Sequence, residues 1–279
     1  MTDFYLQVSR ECSALITRRY STSFSSAIGL LDKNMRLPIC SIYGFVRLAD
    51  EIVDSFHDQD KAARLAEFTA DTWRSIEERF SLNPILHAYQ DVVNQFNIPA
   101  DLTQAFLHSM AMDLQKTTYA NAGELDEYIY GSAEVVGLMC LCIFVAGDKE
   151  QYEHLKEPAR RLGAAFQKIN FLRDLQADYE GLHRSYFPGF DFEHFDGPAK
   201  AAIEDDVAAD FAAGALGITQ LPDGARLGVY IAYRYYLSLF KRIQATPAAE
   251  VLQRRIRVPD GKKLLIVMGA KLRWQLGKV

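Results

Sequence analysis

The sequence predicts a single all-α domain spanning residues 1–279. Three observations carry that prediction. Apolar residues recur at three- and four-residue spacing through nearly every segment. No run alternates apolar and polar residues between turn signals, as a sheet would require. The breaks are short and carry helix caps, with no linker long enough to divide two domains and no fixed-period repeat. A hydrophobic content of 49% is ample for one large core.

The elements follow in order. Phe4, Val8, Cys12, Leu15 and Ile16 give a first amphipathic helix ending near Tyr20. The hydroxyl run from Ser21 to Ser26 breaks that pattern. Asp32 or Asn34 caps the next helix, with Pro38 in or near its first turn, and this helix ends around residues 56–58. Residues 61–80 form another. Asn83-Pro84 is a cap followed by a first-turn proline, opening a helix to about Phe96. Pro99 and Asp101 start the next, which runs to about Lys116. A long helix covers roughly residues 125–146. Its small residues Gly131, Ser132, Ala133 and Gly137 allow close helix approach or leave room for a ligand. Asp148 with Gln151 resembles a capping box, and the helix that follows is kinked or restarted at Pro158. Residues 180–198 read as loop. Residues 200–216 and 223–244 are two further helices. Thr246-Pro247 opens a short one, and Asp260 opens the last, ending near Leu276.

Composition narrows the function classes. A net charge of -5 argues against nucleic acid as a partner. Cys12, Cys40, Cys140 and Cys142 form no zinc pattern and read as buried free thiols, which fits a reducing, cytoplasmic setting. The first residues lack a basic stretch followed by an apolar one, so no signal peptide is expected. The longest uncharged apolar run, residues 135–147, falls short of the roughly 20 residues a membrane span needs. The six histidines show no metal-binding spacing, and no phosphate-binding glycine loop or nucleophile elbow is present.

The chemistry concentrates in two stretches. Residues 43–54 read Y-G-F-V-R-L-A-D-E-I-V-D, and residues 167–178 read Q-K-I-N-F-L-R-D-L-Q-A-D. Each places two aspartates four apart: Asp50 with Asp54, and Asp174 with Asp178. On a helix both carboxylates of a pair share one face, and like charges there cost a few tenths of a kcal/mol unless a cation intervenes. One such pair is ordinarily a solvated helix face. Two pairs, each with an arginine (Arg47, Arg173) and apolar flanks, point to divalent metal. Tyr43, Arg47, Asp50 and Asp54 form one stripe, and Ile42, Val46, Ala49, Val53 and Phe56 an apolar one beside it. Gln167, Asn170, Asp174 and Asp178 repeat the polar stripe. Facing carboxylate pairs suit Mg²⁺, a hard cation usually completed by phosphate oxygens. Arg47, Arg173, Arg184, Tyr186, Ser21 and Ser23 supply donors for a diphosphate. Metal and cationic donors would neutralise a departing pyrophosphate, and an apolar cavity would shield the resulting carbocation from water. For Tyr43, Tyr128 and Tyr186, core packing with a satisfied hydroxyl is the plain alternative.

At these residues the chain resembles the squalene and phytoene synthase family, the head-to-head branch of the all-helical isoprenoid synthases, and bacterial phytoene synthases most of all. The matching pieces are Y-S-T-S-F at residues 20–24, the two aspartate stretches, Y-I-Y-G-S-A-E-V-V-G at 128–137 and R-S-Y-F-P at 184–188. The resemblance implies an isoprenoid-synthase helical bundle around a central cavity. It implies that Asp50, Asp54, Asn170, Asp174 and Asp178 bind Mg²⁺, or Mn²⁺ in its place, bridged to diphosphate. Ser21, Ser23, Arg47, Arg173 and Tyr186 would hold diphosphate oxygens. Tyr43 and Tyr128 would line the cavity, and Gln167 would position the second substrate. The implied reaction joins two geranylgeranyl diphosphates through a cyclopropylcarbinyl diphosphate to phytoene. A squalene or dehydrosqualene synthase using two farnesyl diphosphates is the nearest rival, and a non-catalytic assembly factor of the same fold is a rival of another class. Lipid substrates imply weak peripheral contact with the inner membrane face. Three departures stand out: Thr22 where a cation often lies between the serines, Glu134 in place of glycine, and His183 before Arg184. Arg18, Arg19 or a later cation is expected to compensate for Thr22. Glu134 either alters the tunnel or points away from it. Oligomeric state is not readable.

Overall fold

The structure is a computed structural model, and it describes residues 2–182, 184–189 and 195–276. Among these there is no strand; a lone bridge pairs Thr118 with Ser185. The departure at His183 lies outside the described residues.

The chain opens with α1 (Thr2–Tyr20), whose last turn carries Arg18 and Arg19 where the helix dipole favours cations. The hydroxyl run that follows is not a break throughout. Ser21 alone interrupts the helix, and its Oγ accepts from the Phe24 amide at 3.2 Å to cap α2 (Thr22–Ile28). Ser25 and Ser26 then return their hydroxyls to backbone carbonyls of Thr17 and Thr22, so the run stays folded without exposing unmet donors. Helix α3 (Lys33–Asp54) starts after Asp32, which makes no side-chain cap. Pro38 lies inside it, past the first turn. The helix ends at Asp54, short of the expected bound, and Phe56 falls off the apolar stripe to stand exposed.

Three helices follow, two of them capped by a side chain. Asp60 caps α4 (Lys61–Glu78) and Asn83 caps α5 (Pro84–Phe96), each through a 3.0 Å bond to a first-turn amide. Helix α6 (Ala100–Asp113) ends three residues early of expectation. The long helix expected over 125–146 is interrupted: α7 (Ala122–Ile129) passes into a π-helical turn (Tyr130–Glu134) and then α8 (Val135–Val145). As one stretch, Ala122–Val145 is long and apolar enough for a membrane span, but 56% of its apolar window is buried within the protein. It is packed against α3, α6 and α9, as a core helix would be. Gly131 is what permits the approach to α6, since a Cβ there would stand 2.5 Å from the Ala105 carbonyl oxygen.

Gln151 N–H donates to Asp148 at 3.0 Å as α9 begins (Lys149–Leu182). This helix runs through Pro158 without restarting. The remainder comprises α10 (Gly197–Ile218), α11 (Asp223–Gln244), the short α12 (Ala248–Val251) and α13 (Asp260–Gln275). Two large apolar clusters form the interior. One gathers α1, α3, α5, α6 and α8, with Phe45 stacked on Tyr89 at 3.7 Å. The other gathers α7 and α9–α12, with Phe171 stacked on Tyr186 at 3.8 Å. A small third cluster joins α2, α11 and α13. All three contribute to the walls of one cavity.

Candidate active site

Helices α3 and α9 bring the two aspartate stretches to that cavity. The burial of Ile42 and Ala49 at 0% and of Val53 at 3% fixes the roll of α3. Its other face then turns Tyr43, Arg47 and Asp50 inward, with Val46 beside them. In the same way buried Ala165, Ile169 and Leu172 fix α9 and turn Gln167, Asn170 and Arg173 toward α3. The cavity holds ≈ 540 Å³. Its polar end carries Ser21, Asp50, Asn170 and Arg173, and its far end is closed by Leu155, Pro158, Ile218 and Leu221. From Leu155 to Arg173 along α9 the rise is about 27 Å, so the cavity is elongated.

Asp54, Asp174 and Asp178 lie beyond the lining at the polar end. The two duos nonetheless feel each other. Burial, then Asp54, pushes the Asp50 carboxyl up to about 7, against the pull of Arg47. Burial, then Asp174 and also Asp54 across the site, pushes Asp178 up to about 6. Arginines partly meet this excess of negative charge. Arg47 bonds Asp50 at 3.3 Å and also Glu51. Arg173 forks onto Asp174 at 2.5 Å and 3.0 Å. Arg184 bonds Asp54 at 3.2 Å. Tyr43 faces the cavity beside Phe24, and burial raises its phenol to about 12.

Not every expected residue faces the cavity. Ser23 is half-buried outside the lining. Tyr186 is buried in the second cluster against Phe171. Arg184 is also buried, where it donates to the Asp113 carbonyl at 3.0 Å besides gripping Asp54. Tyr128 lines the cavity and gives its hydroxyl to Asp113 at 2.9 Å. Glu134 points away: its carboxylate takes Arg160 at 2.7 Å, while Ser132 and Ala133 of the same π turn line the cavity. Thr22 is exposed and accepts from Lys263 of α13 at 3.4 Å, and neither residue lines the cavity.

Three participants were not expected from sequence. Asp113 ends α6 with its side chain buried, and that burial pushes its carboxyl to about 7 against the pull of Arg184. Tyr236 of α11 donates to Asn170 Oδ1 at 3.2 Å and stacks on Phe166. Arg255, after α12, reaches Asp174 at 2.6 Å and lines the cavity. A single aspartate or arginine without a periodic partner gives no signal; Arg255 sits in a run of basic residues that reads as surface.

The donor set can be tested against a divalent metal. Among the described residues no three His, Cys, Asp or Glu side chains converge on one point. Burial, and then the neighbouring carboxylate, raises Asp50 and Asp178, one from each duo, which fits ions completed by phosphate oxygens rather than a closed protein cage.

A helical body around an apolar cavity with acidic duos at one end defines the class of all-α isoprenoid synthases. A crystal structure of a dehydrosqualene synthase in complex with ligand has this fold, with a TM-score of 0.83 at 20% identity over 99% of both chains. The family model described as squalene/phytoene synthase matches residues 17–262, and the chain belongs to that family. Its members are prenyltransferase-like synthases that bind isoprenyl diphosphates. Relatives include phytoene synthase 3, chloroplastic, of Zea mays, 28% identical over 92% of this chain and 64% of that protein. The 15-cis-phytoene synthase of Synechocystis sp. is 28% identical over 94% of this chain and 84% of its own. The chain thus spans just under two thirds of the maize protein.

Proposed function

We propose that the chain joins two geranylgeranyl diphosphates head to head, through a cyclopropylcarbinyl diphosphate, to give phytoene, with Mg²⁺ or Mn²⁺ as cofactor. The observation that carries this is the meeting of both aspartate duos at the polar end of an elongated apolar cavity. Asp50, Asp54, Asn170, Asp174 and Asp178 would hold the metal. Bound Mg²⁺ supplies charge neutralisation for a departing pyrophosphate. Arg47 and Arg173 add fixed N–H donors beside it. The apolar walls from Val46 to Leu155 exclude water from a carbocation. Tyr43, with its phenol raised to about 12, is protonated at neutral pH and presents an O–H. The released pyrophosphate is therefore the better acceptor of the protons that phytoene formation sheds.

The resemblance of fold to a dehydrosqualene synthase favours a second reading, with two farnesyl diphosphates as substrates. Incubation with each diphosphate separately, with Mg²⁺ and with or without NADPH, followed by mass analysis, decides between them. We expect phytoene from the C20 substrate, unchanged by NADPH. A C30 product from farnesyl diphosphate alone sinks the first reading. Weak peripheral contact with the cytoplasmic membrane face belongs to the same proposal.

A further inference from the structure

Helix α13 leaves an apolar stripe uncovered. Leu264, Leu265, Met268, Leu272 and the C-cap Leu276 are 58–67% exposed. At 100° per residue these five positions fall within about a third of the helix circumference. The opposite side is already used: Ile266, Val267 and Ala270 pack on α11 and α2, and Arg226 lies over the Trp274 ring at 5.6 Å. Elsewhere among the described residues, exposed Phe80 and Leu82 gather near the start of α1, where Tyr5 packs on Phe80 and bonds the Leu82 carbonyl, while Phe56, Tyr179 and Leu216 stand in separate parts of the chain. Scattered exposure is ordinary, whereas a contiguous stripe marks a contact surface.

The charges choose the partner. Exposed Lys262 and Arg273 border the stripe on one side and exposed Lys271 on the other. After Asp260 the helix holds no acidic residue, in a chain of net charge -5. A second copy docking through the same stripe would bring these cations against their own counterparts with no carboxylate to meet them. An anionic bilayer meets both demands, since its acyl boundary takes the leucines and its headgroups take the flanking lysines and arginine.

We infer that α13 is an interfacial helix that seats the protein on anionic lipid. This rests on the lipid-substrate reading proposed above for its purpose, and on the helix itself for its location. The seat is one layer from the cavity, because Ala27 and Ala232 belong both to the cluster beneath α13 and to the cavity wall. Lys263 on its inner flank reaches Thr22, next to the Ser21 cap at the polar end. A substrate with a charged head and a prenyl tail would thus be met where it resides.

The test is flotation of the full chain with phosphatidylcholine vesicles, with and without about one-third phosphatidylglycerol. The wild type should float with the anionic vesicles and release as salt rises. A variant carrying Leu264→Ser, Met268→Ser and Leu272→Ser should lose about tenfold or more of that partition. A second, with Lys271→Gln and Arg273→Gln, should lose binding to the anionic vesicles while keeping its melting temperature. Both should turn over detergent-dispersed substrate within about twofold of wild type. Wild-type protein that stays with the unbound fraction overturns the inference. So do variants that float as wild type does, or a wild-type dimer that the serine variant converts to monomer. Flotation that persists in a protein turning over neither diphosphate supports the surface and overturns the proposed reaction alone.

Discussion

With the Asp50 carboxyl at about 7, Asp113 at about 7 and Asp178 at about 6, the acidic end of the cavity holds protons that an unfolded chain would already have released. These are raised carboxyl values. Their contribution to stability is therefore complete below the unfolded value near 4 and is lost as pH climbs through 6 to 7. Metal-free protein should accordingly melt at a lower temperature at pH 8 than at pH 5.5. A divalent cation competes with those protons, so Mg²⁺ should raise the melting temperature more at pH 8 than at pH 6. Calorimetry at both values checks this, and an equal or larger effect at pH 6 contradicts it. Replacing Asp50 or Asp174 by alanine should cut turnover about a hundredfold or more while the far-ultraviolet dichroism stays that of the wild type. Full activity in either variant, assayed with Mg²⁺ and geranylgeranyl diphosphate, removes the assigned role.

At the scale of elements, the sequence displayed what local chemistry controls. Asn83-Pro84 marked the start of α5, Asp148 with Gln151 marked that of α9, and the span of α11 was read as Asp223–Gln244. The differences arose where one local rule competes with another. Ser21 to Ser26 looked like a break because hydroxyls compete with helix amides. Here one caps and two bond back, so the residues after Ser21 form α2. The π turn left no trace because α8 is apolar on every side, so a phase shift of one residue has no polar face to displace. Of the site, the two stripes were legible because each repeats along its own helix. Asp113, Tyr236 and Arg255 were not, since each meets the site from a different element across a long separation. The close approach of the π turn to α6 makes a sharp prediction. Gly131→Ala places a methyl 2.5 Å from the Ala105 carbonyl oxygen and should cost about 1–3 kcal/mol in urea unfolding. No change in the unfolding midpoint would mean that α6 and the turn are not so tightly apposed.

For the molecule as a whole, cavity length should govern which prenyl chain is accepted. Cys140 of α8 lies in the lining between Tyr128 at the polar end and Phe144 toward the closed one. Cys140→Phe should therefore depress turnover of the C20 diphosphate about tenfold relative to the C15 one. Parallel loss on both substrates would place the limit on length elsewhere. The walls of the cavity also come from every apolar cluster, so the interior is left with a gap that no side chain plugs. A prenyl tail lying there would act as a keystone, adding apolar contact between the clusters that share these walls. Lipid-loaded protein should then come apart in one step, and the empty shell more gradually, one block after the other.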